Sequence, residues 1–165
     1  MRSLPLRPLS AVLLLSFGAG CGSALGPPDG SWTVHVVSTD AGDFGEGCPT
    51  GGEYKSIDTT FTYDMYVDGS AVELRINEEV FATGAYASGC TVEYASPAYL
   101  DSYQGNEVQW QIEGTAVIDG PAGGCVDNPE LDWDGIETAV VVRSDTDALP
   151  MGCTRDMTVT GTRAN

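Results

Sequence analysis

The densest set of oxygen ligands in this chain is Asp127-Asn-Pro-Glu130-Leu-Asp132-Trp-Asp134-Gly135. Alternate carboxylates followed by glycine can wrap a calcium ion, which takes about six to eight oxygens. Glu130, Asp132, Asp134 and Gly135 approximate the first half of a calcium loop, D-x-D-x-D-G, and Asp127 adds a carboxylate just before it. Two residues depart from that pattern. Glu130 stands where aspartate is usual, and Val141 stands where a bidentate glutamate is expected. Asp40, Asp43 and Glu46 form a looser cluster of the same kind. The plainer reading of both is a solvated acidic loop. Calcium is the one cofactor that the sequence suggests.

Catalytic chemistry has less to work with. His35 is the single histidine, so a Ser–His–acid site would have one choice of general base. It lies mid-strand on the face opposite Trp32 and reads as a surface residue. Carboxylate pairs could hydrolyse glycosides, but among 24 acidic side chains chance pairs are certain. No glycine-rich phosphate loop links a strand to a helix. A non-catalytic role is expected, with hydrolase the last choice.

Cys48, Cys90, Cys125 and Cys153 are widely spaced, with no C-x-x-C pair. Zinc sites usually show close pairs, so two disulfides are expected, as in exported proteins. Sequence alone leaves three pairings open.

The elements that position these residues are strands. Period-two alternation marks 31–38, 54–67, 70–76, 79–87, 90–95, 107–118, 136–144 and 154–163. Trp32, Val34 and Val36 share one face, as do Phe61, Tyr63 and Met65, then Val72, Leu74 and Ile76, then Val108, Trp110 and Ile112. Asp68-Gly69 and Asn77-Glu78 read as tight turns. Residues 39–53, 98–106 and 119–135 read as loops, and Pro97 stops the fifth strand because proline cannot donate to a ladder. Trp133, inside the last of these loops, reads as a cap on the domain. Gly84, Gly114 and Gly161 inside strands permit sharp coiling. No segment has a helical period. The expectation is all-β: one antiparallel barrel or sandwich of about eight strands, with up-and-down order favoured.

Up-and-down order sorts the cysteines. It puts Cys48 and Cys153 at one end, and Cys90 and Cys125 at the other. A disulfide needs Cα atoms roughly 4.4–6.8 Å apart, so the expected bonds are Cys48–Cys153 and Cys90–Cys125. The first would staple the first strand to the last.

Gly30-Ser31-Trp32 opens the first strand and resembles the G-x-W signature of lipocalins and related barrels. In that family an arginine from the last strand packs across the tryptophan and closes the barrel floor. Thr160-Gly161-Thr162-Arg163 supplies one here, so the resemblance implies a closing pair of Trp32 and Arg163. It also implies an interior that holds a small apolar ligand; a structural role in the envelope is the other non-catalytic expectation. Other lipocalin motifs and the flanking helix have no counterpart.

Residues 1–20 run from a basic head with Arg2 and Arg7, through an apolar stretch, to Gly18-Ala-Gly-Cys21. That order is a secretory signal. The apolar run would span about 14 Å as a helix, short of the ~30 Å bilayer core. The small residues before Cys21 resemble a bacterial lipobox, with Gly18 where an aliphatic is usual. The resemblance implies cleavage before Cys21 and lipid on its thiol. Residues 21–30 then form a Gly/Ser/Pro tether, and 31–165 the disulfide-stapled β-domain. Without Arg2 and Arg7, five basic and 24 acidic side chains remain, a net charge of −19. Such a surface repels nucleic-acid phosphates and anionic lipid. The expected partners are a membrane reached through lipid on Cys21, and a small apolar ligand or a protein, but no nucleic acid. The location expected is the cell envelope, at the outer membrane or cell surface, or the exterior if Cys21 carries no lipid. The alternative is an acidic, calcium-dependent cell-surface interaction module.

Overall fold

The computed structural model describes residues 29–38, 48, 56–87, 90–119, 125 and 130–164. The signal stretch, Cys21, the tether up to residue 28, the Asp40–Asp43–Glu46 cluster and Asp127 lie outside the described residues. Among the described residues there are nine strands and no helix. They are β1 (Gly30–Ser38), β2 (Ile57–Asp68), β3 (Ala71–Ile76), β4 (Glu79–Ala87), β5 (Thr91–Ala95), β6 (Tyr99–Tyr103), β7 (Asn106–Asp119), β8 (Asp132–Ser144) and β9 (Thr154–Arg163).

All pairings are antiparallel, and consecutive strands are neighbours except β5 and β6, which both pair with β7. β1 also pairs with β9 from Trp32↔Arg163 to Val37↔Thr158. The sheet therefore closes into an up-and-down barrel, and the sandwich alternative falls. The hairpins are tight because their turn residues accept positive φ. Asn77 and Glu78 have φ of 52° and 70°, and Gly69 has 62°.

Two loops in the sequence reading are strand instead. Residues 99–103 form β6, which lies on the same edge of β7 as β5 does. β5 pairs with β7 from Thr91↔Val117 to Ala95↔Glu113, and β6 from Tyr99↔Trp110 to Tyr103↔Asn106. The two are one strand interrupted at Ser96-Pro97-Ala98. Pro97 does break the ladder, but pairing resumes two residues later. Ser96 smooths the break: Ile112 N donates to its Oγ at 2.8 Å, and Ser96 N donates to Ile112 O at 2.8 Å. Likewise β8 begins at Asp132 and not at 136, so Trp133 belongs to a strand. Apolar alternation is weak there, and the ladder to β7 and β9 supplies what the pattern lacks.

The interior divides in two. One half is solid: Trp32 and Trp133 meet edge to face at 5.6 Å, surrounded by Val34, Met65, Leu74, Val92, Ile118 and Val159, all buried. Neither indole N–H meets an acceptor among the described residues. The other half is not filled.

Both disulfides follow the order that closure imposes. Cys48–Cys153 and Cys90–Cys125 each have Cα atoms 5.3 Å apart.

Candidate functional site: a cup in the open half of the barrel

Above the tryptophan floor lies a cavity of about 290 Å³. Its walls are largely apolar, from Val36, Ile57, Ile76, Trp110, Ile112 and Met157. Phe61, Tyr63, Phe81 and Tyr99 add aromatic faces. Tyr63 and Phe81 have ring centroids 5.4 Å apart, and Phe61 stacks on Tyr63 at 6.3 Å. Tyr99 and Asp101 bring β6 into the lining.

Two charged side chains project inward. Glu137 is 2% exposed and Arg155 3%. Glu137 sits opposite Met157, and Arg155 opposite Ala139, on the adjacent strands β8 and β9. One carboxylate oxygen of Glu137, Oε1, accepts from Tyr94 Oη at 2.7 Å and from Tyr63 Oη at 3.1 Å. Both of these bonds fall on Oε1, and Glu137 itself lines the cavity. Burial pushes the Glu137 carboxyl up, against the lowering effect of the two tyrosine hydrogen bonds. Tyr63 and Tyr94 are pushed well up by burial and then by the Glu137 charge. Tyr99 is pushed up to about 12 by burial, Asp101 and Glu137. Arg155 is anchored, with Nε donating to Ser38 Oγ at 2.7 Å.

The β5–β6 interruption opens the cup at its side. β4 pairs with β5 only from Thr83 to Ala87, and β6 pairs with β7 alone. A groove lined by Asn77, Val80, Phe81, Pro97, Ala98 and Tyr99 lies in that gap. It shares Ile76, Phe81, Tyr99 and Ile112 with the cup. Val80, Tyr99 and Leu100 are exposed apolar residues at this rim.

A glycine makes the Tyr94–Glu137 contact possible. A Cβ on Gly114 would lie 2.2 Å from Tyr94 Cζ, so any side chain there would displace the ring.

The residues singled out in the sequence fall as follows. Trp32 and Arg163 face each other across the β1–β9 seam. The Arg163 guanidinium lies over Gly30, 3.2 Å from where its Cβ would be, and donates to the Asp29 carbonyl oxygen. His35 is exposed and pairs with Asp58 at 2.7 Å. Glu130 is exposed in the turn before β8, and Asp132 and Asp134 sit on the outer face of that strand. They do not form a wrapping loop, because an extended strand spaces alternate side chains along a line. Asp132 lies opposite Asp119. Among the described residues no cluster of three or more acidic, His or Cys side chains could hold a metal ion.

Glu137, Arg155 and Tyr94 are not among the residues that sequence reasoning selected. The signal was present. Counting by twos from Val159 through Met157 reaches Arg155, and from Val141 through Ala139 reaches Glu137. Ile136 obscured the phase, since it is the apolar neighbour yet lies 59% exposed.

No family model matches the chain, and neither does any curated protein. Among solved structures, the chain is similar to the monomer form of the M. tuberculosis PknI sensor domain. The TM-score is 0.41 and the identity 10%, over 87% of this chain and 91% of that one.

Proposed function

We propose that this is an exported, lipid-anchored binding protein whose barrel holds one small amphipathic molecule. The observation that carries the reading is the cup: an apolar cavity of about 290 Å³ with a buried, tyrosine-held carboxylate on its wall. Small-molecule pockets are mostly apolar clefts of roughly 300–1,000 Å³ with few, well-placed polar groups. This one stands at the small end, which suits a single ring or a short chain. A purely structural barrel would fill its interior, since a buried carboxylate costs stability unless something uses it.

Export is supported by the two disulfides, which persist in oxidising compartments. They also pair four of the five cysteines and leave Cys21 over for lipid. The high negative charge makes a lipid the better means of holding the domain at a membrane.

Native mass spectrometry of the purified protein, with bound species retained, tests the binding role. Wild type is expected to carry a small adduct. Ala139→Phe fills the cup from the wall and is expected to lose the adduct while keeping its thermal transition. A wild-type protein that stays free of adducts in both native spectra and ligand screens would count against the cup. For the anchor, Cys21→Ser is expected to abolish the lipid mass and release the protein from membranes. Equal retention of wild type and variant would remove the lipid.

A further inference from the structure

We infer that the molecule held in the cup is a small organic ammonium ion, with its head on Glu137 Oε2 and its apolar body against the aromatic wall. The inference rests on the reading of the cavity as a ligand site and adds the chemistry of the head group.

Three features point to a cation. First, the carboxylate is half used. Both tyrosines donate to Oε1, so Oε2 takes neither bond, and the residue lines the cavity. An acceptor in that position calls for a donor on the ligand, and a buried carboxylate is best compensated by opposite charge. Second, the surrounding faces suit a cation. Phe61, Tyr63, Phe81, Tyr99 and Trp110 line the same space, and ring faces attract ammonium groups through their quadrupoles. Third, the approach is acidic. Asp101 lies in the lining on β6, and the mature chain would carry a net charge of −19. Such a field concentrates cations at the mouth and depletes anions.

Among the described residues, the charged and titratable groups around the head site are Tyr63 on β2, Tyr94 on β5, Tyr99 and Asp101 on β6, and Arg155 on β9. Arg155 is the one cation among them, and its Nε is engaged with Ser38. It opposes the site electrostatically while that bond holds it on the β9 side of the cup.

A matched series decides between head groups: n-hexylammonium, hexan-1-ol and hexanoate, titrated calorimetrically into the full-length mature protein at pH 7.5. Hexylammonium is expected to bind at least tenfold more tightly than either of the others. Glu137→Gln keeps the acceptor for both tyrosines and is expected to erase that preference. Equal affinities, or tightest binding of hexanoate, would overturn the ammonium inference and leave the cup standing as a ligand site. Absence of binding by all three would overturn the inference and, with an adduct-free native spectrum, the cup as well.

Discussion

Two tyrosine hydroxyls share one oxygen of Glu137, and that arrangement sets how the protein should respond to pH. Burial raises the carboxyl's folded pKa above its unfolded value of about 4.3. The native state then binds more protons than the unfolded chain between the two pKa values. Stability is therefore full below about pH 4.3 and declines as pH rises through the folded pKa. Glu137→Gln removes this slope. In thermal or denaturant melts the variant should exceed wild type by about 1–3 kcal/mol at pH 8, and the gap should close towards pH 4. A gap independent of pH would mean that Glu137 is not buried as described. The neighbouring glycine can be tested too. Gly114→Ala forces Tyr94 off the carboxylate and should cost about 1–3 kcal/mol, as overpacking usually does.

At the scale of elements, the strands divide the barrel into a packed floor and an open cup. The floor depends on Trp32 from β1 and Trp133 from β8, both fully buried. Trp133→Ala should cost roughly 3–5 kcal/mol, measured by urea unfolding, and removes the ring that packs on Tyr63 and Tyr94. Most strands were legible from sequence because one face is apolar and the other polar: 31–38 and 70–76 are nearly unambiguous. The exceptions have physical causes. β6, Tyr99–Tyr103, has a Leu and two Tyr around polar residues and only Tyr103 buried, so its pattern does not alternate. The first residues of β8 look like an acidic loop because Asp132 and Asp134 face solvent on either side of Trp133. Inward charges such as Glu137 and Arg155 break the rule that the apolar face is the inner one, and this is why the cup's chemistry was not visible although its walls were. Trp110 and Tyr63 were expected inside and do line it.

On the scale of the whole molecule, closure and the disulfides act together. The Cys48–Cys153 bond spans 105 residues and Cys90–Cys125 spans 35. Loop-closure entropy assigns each about 4–5 kcal/mol as an upper figure. Paired Cys→Ser substitutions should lower stability within that limit in chemical denaturation, with the longer loop costing more. Topology made this pairing legible: once strands run up and down in order, only cysteines at the same end can meet. The β1–β9 seam, with Trp32 opposite Arg163, completes the barrel.

The most direct measurement is a ¹H–¹⁵N NMR titration of the mature domain with n-hexylammonium. A ligand in the cup should shift the Trp110 indole and the amides of Ile76, Phe81, Ile112, Ala139 and Met157, while the Trp32 indole in the floor stays nearly still. Shifts confined to the outer acidic face around Asp119, Asp132 and Asp134, or none at all, would contradict an interior binding site.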